Sequence, residues 1–382
     1  MGYHSHTHCR VRPAGPVVNR STKGCFSVPI IDHQSLRRIG YQLFEGVGCS
    51  SDHARIVSDH LVDSSLYGHD SHGYLRFSEY PRQFKDCGWN PAGVPEIIDE
   101  RPCTAIVDGN GTMGQVGGKF ATEVAMRKAK EHGVATVTLR NASHVCRAGE
   151  YPLIASRENM IAMMFTNGGR LGCQVAPHGG LDGKMCTNPI SFAAPRRNDN
   201  PIMVDMATSV VADGKVRVAR NSGKPTPDGW LIDRDGNPTN DPNVFTERRG
   251  ALLSLGGVAS HKGHCLNIIV ELLGGALGGQ GVANGATYLK SNGVLITVYH
   301  IEHFTDLDTF FDEVEILVDH VKSSRIDPRI GEIQMPGEPE FRTAEKRRRD
   351  GIEIDAVSWS DTCDCGKELG LDTDAWNQML EA

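Results

Sequence analysis

Residues 134–148 read VATVTLRNASHVCRA, a run of β-branched and apolar residues broken at Asn141. Such a run fits a buried strand, and its break delivers Ser143 and His144 to the strand end, a usual place for the acid or base of an α/β enzyme. Outward from it, TAIVDG begins at Thr104 and a helical pattern runs from about Gly117 to His132. A second pattern lies around Tyr151 to Arg157, and the run MIAMMFTN follows. This alternation of strand and helix is the grammar of an α/β fold. Asp32 is placed to cap a helix reaching about Gly46, and Ser51 or Asp52 a second that ends at Gly68. Leu266, Ile269, Val270 and Leu273 share one helical face, read as buried, before the glycine-rich GGALGGQG. Residues 342–382 are charged and read as peripheral.

The chain has 382 residues, 39% of them hydrophobic, enough for a large buried core. Its net charge of −7 argues against nucleic acid as a partner, because phosphate binding needs clustered Lys and Arg. No run approaches the roughly 20 apolar residues of a membrane span, so no membrane partner is expected. The eleven cysteines are odd in number and scattered, which fits reduced thiols and a cytoplasmic location better than a disulfide framework. Residues 1–27 form a polar extension whose His4, His6, His8 and Cys9 are read as part of a disordered tail. With no apolar stretch in it, secretion is not expected, and Met1-Gly2 lacks the hydroxyl residue at position six that myristoylation uses.

Two histidines, His72 and His144, are the leading candidates for the chemistry. LYGHDSHGYLRF, residues 66–77, sets Ser71, His72 and Arg76 in one short loop past a helix. Imidazole, hydroxyl and guanidinium together suit a carboxylate held beside a titratable proton. The same stretch offers a rival reading, a metal-dependent hydrolase built on His69 and His72, but the spacing matches no ligand motif and no metal is expected. Gly109-Asn110-Gly111-Thr112-Met113-Gly114 fits a dinucleotide fingerprint and stands between a strand and a helix. The following strand ends in Arg140 and Asn141 rather than in an acid, so a tight turn with close helix packing is the favoured reading. The amides of Asp205, Met206, Ala207, Thr208 and Ser209 could cradle phosphate, and Ser260-His261-Lys262-Gly263 opens a helix as an anion site would.

In order along the chain, GHDSHGYLRF, GQVGG, NASHV, VAPHGG, TNPISFAAP, VDMATS, SHKGH and MPGEPE resemble the malate/L-lactate dehydrogenase family, over roughly residues 28–358. EYPLIASREN, RRGALLSLGGVASHKG and VELLGGALGG are similar to its hydroxycarboxylate dehydrogenase branch. The resemblance implies an α/β sulfolactate-dehydrogenase-like fold with mixed sheets, not a Rossmann fold. It implies one domain of interleaved lobes over 28–358, with the cofactor-binding portion about 105–300 and a C-terminal tail over 359–382. The activity implied is an NAD- or NADP-dependent oxidoreductase interconverting a 2-hydroxy acid and a 2-oxo acid, or reducing a cyclic imino acid. The partners implied are a small carboxylate substrate and a second copy in a homodimer.

Carried over by position, the resemblance implies that Ser71 and Arg76 hold the substrate carboxylate and that His144 is the acid or base. His72 is a second catalytic candidate that also contacts the cofactor. Cys146, Arg147 and Ala148, the stretch from Asp205 to Ser209, His261 and Lys262, and Pro336, Gly337 and Glu338 would bind the dinucleotide. Cys146, Cys186 and Cys265 stand where relatives commonly have glycine, and His264 where they have tyrosine. A neighbouring lysine or protonated histidine is expected to lower the thiol pKa of Cys146 and Cys265 enough to make them reactive.

Overall fold

A computed structural model describes residues 29–169, 173–221, 223–285 and 291–380; the N-terminal extension over residues 1–27 lies outside them. The short strand β1 (Ile30–Ile31) leads into α1 (His33–Gly46) and α2 (Ser51–Leu66). Asp32 caps α1 by accepting from the amides of Gln34 and Ser35 at 2.9 and 3.0 Å. The cap of α2 is Ser50, one residue before the position expected. Leu36, Ile39 and Leu43 of α1 pack with Val57 and Leu61 of α2 in one apolar cluster. A 3-10 turn over Asp70–His72 then leads to α3 (Arg76–Cys87).

The central sheet begins with β2 (Glu96–Arg101) and β3 (Thr104–Asp108), continues through α4 (Gly114–His132) to β4 (Val134–Ala142), and passes through α5 (Glu150–Ser156) to β5 (Met160–Asn167). β6 (Ile190–Ala194) and β7 (Ile202–Met206) complete this edge. After α6 (Asp213–Asn221), the strands β8 (Leu231–Asp233) and β9 (Pro238–Thr239), the helix α7 (Pro242–Thr246) and the strand β10 (Gly250–Leu252) form a lobe with a three-stranded sheet. α8 (Ser260–Val270) runs on into a π-helical turn over Glu271–Leu277. β11 (Asn292–His300), α9 (Leu307–Lys322), α10 (Glu338–Asp350), β12 (Ile352–Glu353), α11 (Ala356–Glu368) and α12 (Thr373–Gln378) follow.

The seven strands of the central sheet lie in the order β2-β3-β4-β11-β5-β6-β7. Only β3 and β4 run parallel; every other neighbouring pair is antiparallel. The fold is therefore α/β with a mixed sheet, as expected. β11 is inserted between β4 and β5, with Leu295 opposite Thr138 on one side and Phe165 on the other. Val137, Leu139, Ala162, Met164, Ile296 and Val298 make one apolar face, covered by Ala121 and Ala125 of α4.

The glycines of the GNGTMG turn serve packing. A Cβ on Gly109 would stand 2.7 Å from the Asn141 carbonyl oxygen, and one on Gly114 would stand 2.3 Å from that of His144. Glycine lets the start of α4 approach the end of β4 this closely. The face expected to be buried is only partly so: Val270 is enclosed, Leu266 and Leu273 are half-buried, and Ile269 reaches the surface. The charged C-terminal stretch is not peripheral throughout. Trp359, Cys363, Cys365 and Trp376 join the cluster of α1, α2 and α3, and α11 runs through the 358/359 boundary. Among the described residues no helix is long and apolar enough to cross a membrane.

Candidate active site

Three backbone segments converge: the loop after α2, the first turns of α3, and the loop after β4. α2 ends at Leu66, and the chain turns away at Gly68, whose φ of +83° suits glycine. A Cβ on Gly73 would fall 2.0 Å from the Ser65 hydroxyl oxygen, so glycine is needed for the loop to fold back on α2. Arg347 of α10 grips the Asp70 carboxylate with both Nη atoms at 2.6 and 3.0 Å and fixes the turn from outside. Within it, Ser71 Oγ lies 3.0 Å from His72 Nδ1. Arg76 Nε donates to the Ser71 carbonyl at 2.8 Å, and Arg76 Nη1 pairs with Glu79. Two positions of the guanidinium are thus committed to protein partners, so the two-point carboxylate grip expected of Arg76 is not free as the side chain stands.

The second segment carries His144. β4 ends where Asn141 takes a φ of +53°. Ser143 Oγ accepts from the Gly114 amide at 2.8 Å, Gln115 Nε2 donates to the His144 carbonyl at 3.1 Å, and the Val145 amide donates to Asn292 Oδ1 at 2.8 Å. These bonds leave the imidazole to be set by one contact, Tyr80 Oη to His144 Nδ1 at 2.7 Å. The His72 and His144 rings stand 5.6 Å apart between centroids. Burial, reinforced by Arg76, holds both imidazoles low, His144 at about 3 and His72 well below its ordinary value. Both are neutral at pH 7. Burial opposes the charges of Arg76 and Glu79, but their pairing more than offsets it, keeping the arginine raised and the carboxyl lowered.

Cys146 occupies the gap beside these groups. Its backbone has a φ of +69°, a region where glycine is at ease and a side chain is strained. Its Sγ–H donates to the His72 carbonyl at 3.0 Å. Burial pushes the thiol up, so the expectation that a nearby cation activates it is not met. Cys265 is exposed on α8, and Cys186 is buried.

A cleft of about 620 Å³ opens over this cluster. Ser71, His72, Cys146, Arg147, Ala148, Asp205, Met206, Ala207 and Ser209 all line it. Asp205 Oδ2 accepts from the Gly149 amide at 2.8 Å and joins the two walls. Arg147 is enclosed, pairs with Glu150 and lies 4.6 Å over the Tyr67 ring, so its charge serves the wall. Thr208 stands behind the wall, its hydroxyl bonded to Thr187 and Asn188 carbonyls. The remaining candidates are elsewhere. His261 and Lys262 are exposed on the first turn of α8, with His261 against the His178 ring. Pro336 and Glu338 line a separate depression of about 150 Å³, Glu338 pairs with Lys322, and Gly337 caps α10.

Two residues of the site were missed in the sequence, Tyr80 behind His144 and Lys215 on the cleft. Tyr80 follows Arg76 by one helical turn, so the i, i+4 rule would have found it once α3 was recognised. Lys215 lines the cleft from α6 and makes no ion pair among the described residues. Its signal was a lone lysine just past the VDMATS strand. As for a metal, His69 lies 3.8 Å from Glu340, and among the described residues no group of three or more His, Cys, Asp or Glu is arranged to hold one. The cleft does suit a small ligand with an apolar ring and an anionic part: its volume is in the range of small-molecule and cofactor sites, Met206, Val210 and Val218 line it, and Lys215 makes no ion pair among the described residues.

The sequence profile of the malate/L-lactate dehydrogenase family matches residues 31–362. Malate dehydrogenase of Pyrococcus horikoshii is 37% identical over 338 residues, spanning 85% of this chain and 91% of that relative. Sulfolactate dehydrogenase from Methanocaldococcus jannaschii aligns with a TM-score of 0.81 at 34% identity, covering 91% of this chain and 99% of that one. The Δ1-piperideine-2-carboxylate reductase from Pseudomonas syringae aligns with a TM-score of 0.76 at 26% identity, covering 88% and 99%.

Proposed function

The chain belongs to the malate/L-lactate dehydrogenase family, and we propose that it interconverts a 2-hydroxy acid and a 2-oxo acid with NAD or NADP as hydride carrier. The observation that supports this most is the placement of His144 directly behind His72 of the cleft lining, the two rings 5.6 Å apart, with His144 neutral, its Nδ1 occupied by Tyr80 and its Nε2 without a protein partner among the described residues. The dinucleotide, when bound, supplies and accepts the hydride. Ser71, His72, Cys146, Arg147, Ala148 and the Asp205–Ser209 stretch would hold it and the substrate between them. His144 takes the hydroxyl proton in oxidation and returns it to the developing alkoxide in reduction. Arg76 lowers the imidazole in the empty site. A substrate carboxylate near Arg76 offsets that field and raises the proton affinity of His144 when it is needed. Ser71 and the free Nη2 of Arg76 are the groups left for that carboxylate.

A second reading has a specific support in the structural likeness to a Δ1-piperideine-2-carboxylate reductase. In it the same His144 protonates the nitrogen of a cyclic imino acid. A homodimer fits the surface: Ile268, Ile269, Leu272 and Leu277 form an exposed apolar face on α8 and its π-helical extension. His261 and Lys262 on that helix, and Pro336, Gly337 and Glu338, remain candidates for the dinucleotide if it extends past the cleft described. None of the nine described cysteines is in a disulfide, which fits a cytoplasmic enzyme. The test is to follow reduced nicotinamide absorbance with NADH and NADPH separately, against oxaloacetate, pyruvate, bulky aryl 2-oxo acids and a cyclic imino acid. Consumption with at least one 2-oxo acid is expected. Consumption with the imino acid alone selects the second reading, and none with any substrate refutes both.

A further inference from the structure

The segment that leads to the cleft wall contains a two-cysteine arrangement that the proposed chemistry does not use. Val175 and Met185 form an antiparallel bridge. The amides of Gln174 and Val175 both donate to the Met185 carbonyl, at 2.9 and 2.8 Å. Two successive donors on one carbonyl make a β-bulge, in which two residues of one strand oppose one of the other. The extra residue shifts the register by one, so that Cys173 comes opposite Cys186 rather than diagonal to it. The two thiols are within hydrogen-bonding reach, and that bond pulls the Cys173 thiol down to about 7 against the effect of burial. Cys186 is enclosed, and the Gly169 carbonyl oxygen, 3.0 Å from its Sγ, is the acceptor for its one hydrogen when Cys173 is protonated, while Cys173 is half-buried and open to a reagent.

We propose that Cys173 and Cys186 are a reversible dithiol site that takes a low-molecular-weight disulfide of the glutathione type as oxidant. The Cys173 thiolate attacks one sulfur of glutathione disulfide, forming a mixed disulfide and releasing one glutathione thiolate. The Cys186 thiol then gives up its proton and attacks the Cys173 sulfur, forming the Cys173–Cys186 bond and releasing the second glutathione. Two protein thiols are oxidised and one glutathione disulfide is reduced to two thiols.

The bond reaches the cleft through the chain. The Cys186 carbonyl accepts from Asn267 Nδ2 at 2.7 Å, the next carbonyl, of Thr187, accepts the Thr208 amide at 2.9 Å, and Thr187 and Pro189 line the cleft. Oxidation removes the hydrogen that Cys186 donates to Gly169 and displaces this wall. The effect on ligand binding rests on the function proposed above; the thiol chemistry does not.

The full-length protein is incubated with glutathione disulfide, blocked with iodoacetamide and digested without reduction for mass spectrometry. A peptide pair joined through Cys173 and Cys186 is expected, forming about tenfold faster at pH 8 than at pH 6 as the thiolate fraction of a group near 7 rises. Cys186→Ser should stop at one glutathione on Cys173, and Cys173→Ser should leave Cys186 unmodified. Glutathione only on the exposed Cys103 or Cys265, or both thiols of the pair still alkylated by iodoacetamide, overturns the proposal. On the oxidised protein, a several-fold rise in the dinucleotide KM, reversed by dithiothreitol, is expected. A mapped disulfide with unchanged KM overturns the link to the cleft alone.

Discussion

Tyr80 Oη lies 2.7 Å from His144 Nδ1, although one side chain comes from α3 and the other from the loop after β4. Tyr80 is itself enclosed against Trp89, and burial raises its hydroxyl well above the ordinary phenol range. It stays protonated and acts as a fixed post that occupies Nδ1 and leaves Nε2 without a protein partner among the described residues.

Tyr80→Phe removes that post and leaves the ring packing. A hydrogen bond of this kind contributes about 1 kcal/mol, so kcat should fall about fivefold with KM little changed. Steady-state kinetics on the variant check it. A rise in KM with normal kcat would show that Tyr80 binds substrate instead of aligning His144.

Arg76→Lys keeps a charge but cannot hold the Ser71 carbonyl and Glu79 together. Losing such charged contacts costs about 1.5–3 kcal/mol, on the order of 10- to 100-fold in kcat/KM. Thermal unfolding of the variant separates this from misfolding. Unchanged kcat/KM would place the carboxylate site elsewhere.

Stability should fall as the medium is acidified from pH 6.5. His60 and His144 are both held near 3 in the folded state, chiefly by burial, against 6.5 as the ordinary value. The unfolded chain therefore binds more protons throughout the window from 6.5 down to 3, and stability is lost across it. Each group contributes a slope of up to about 1.4 kcal/mol per pH unit. Chemical denaturation between pH 6.5 and pH 5 should show a shallower slope in His60→Gln than in the unmodified protein. Equal slopes would show that His60 titrates normally in the fold.

Trp376 is fully enclosed and its Nε1 donates to Gln42 Oε1 at 2.6 Å. Trp376→Ala should cost about 3–5 kcal/mol. A loss below 1 kcal/mol in denaturant melts would mean that α12 is not part of the core.

Much of the site was legible because its parts are local. The strand end at Asn141, the Ser71–Arg76 loop and the start of α1 each depend on neighbours within a few residues, so pattern and capping rules find them. The insertion of β11 between β4 and β5 pairs segments far apart in sequence, and neither strand carries a mark of its partner. The same holds for Trp376, since a charged segment with a few aromatics looks peripheral until α1 is placed beneath it. His261 and Lys262 show a different gap: a helix start rich in cations reads as an anion site, but the sequence carries no measure of the distance between that start and the cleft.

The central claim is that a hydride passes between a nicotinamide and C2 of a 2-oxo acid while His144 supplies the proton. Cofactor deuterated at the transferable C4 position should leave deuterium at C2 of the hydroxy acid formed, by mass spectrometry. His144→Ala should carry out the same transfer roughly 10²–10⁴ times more slowly while still binding the dinucleotide. A product without deuterium, or a variant as fast as the unmodified enzyme, would contradict the account.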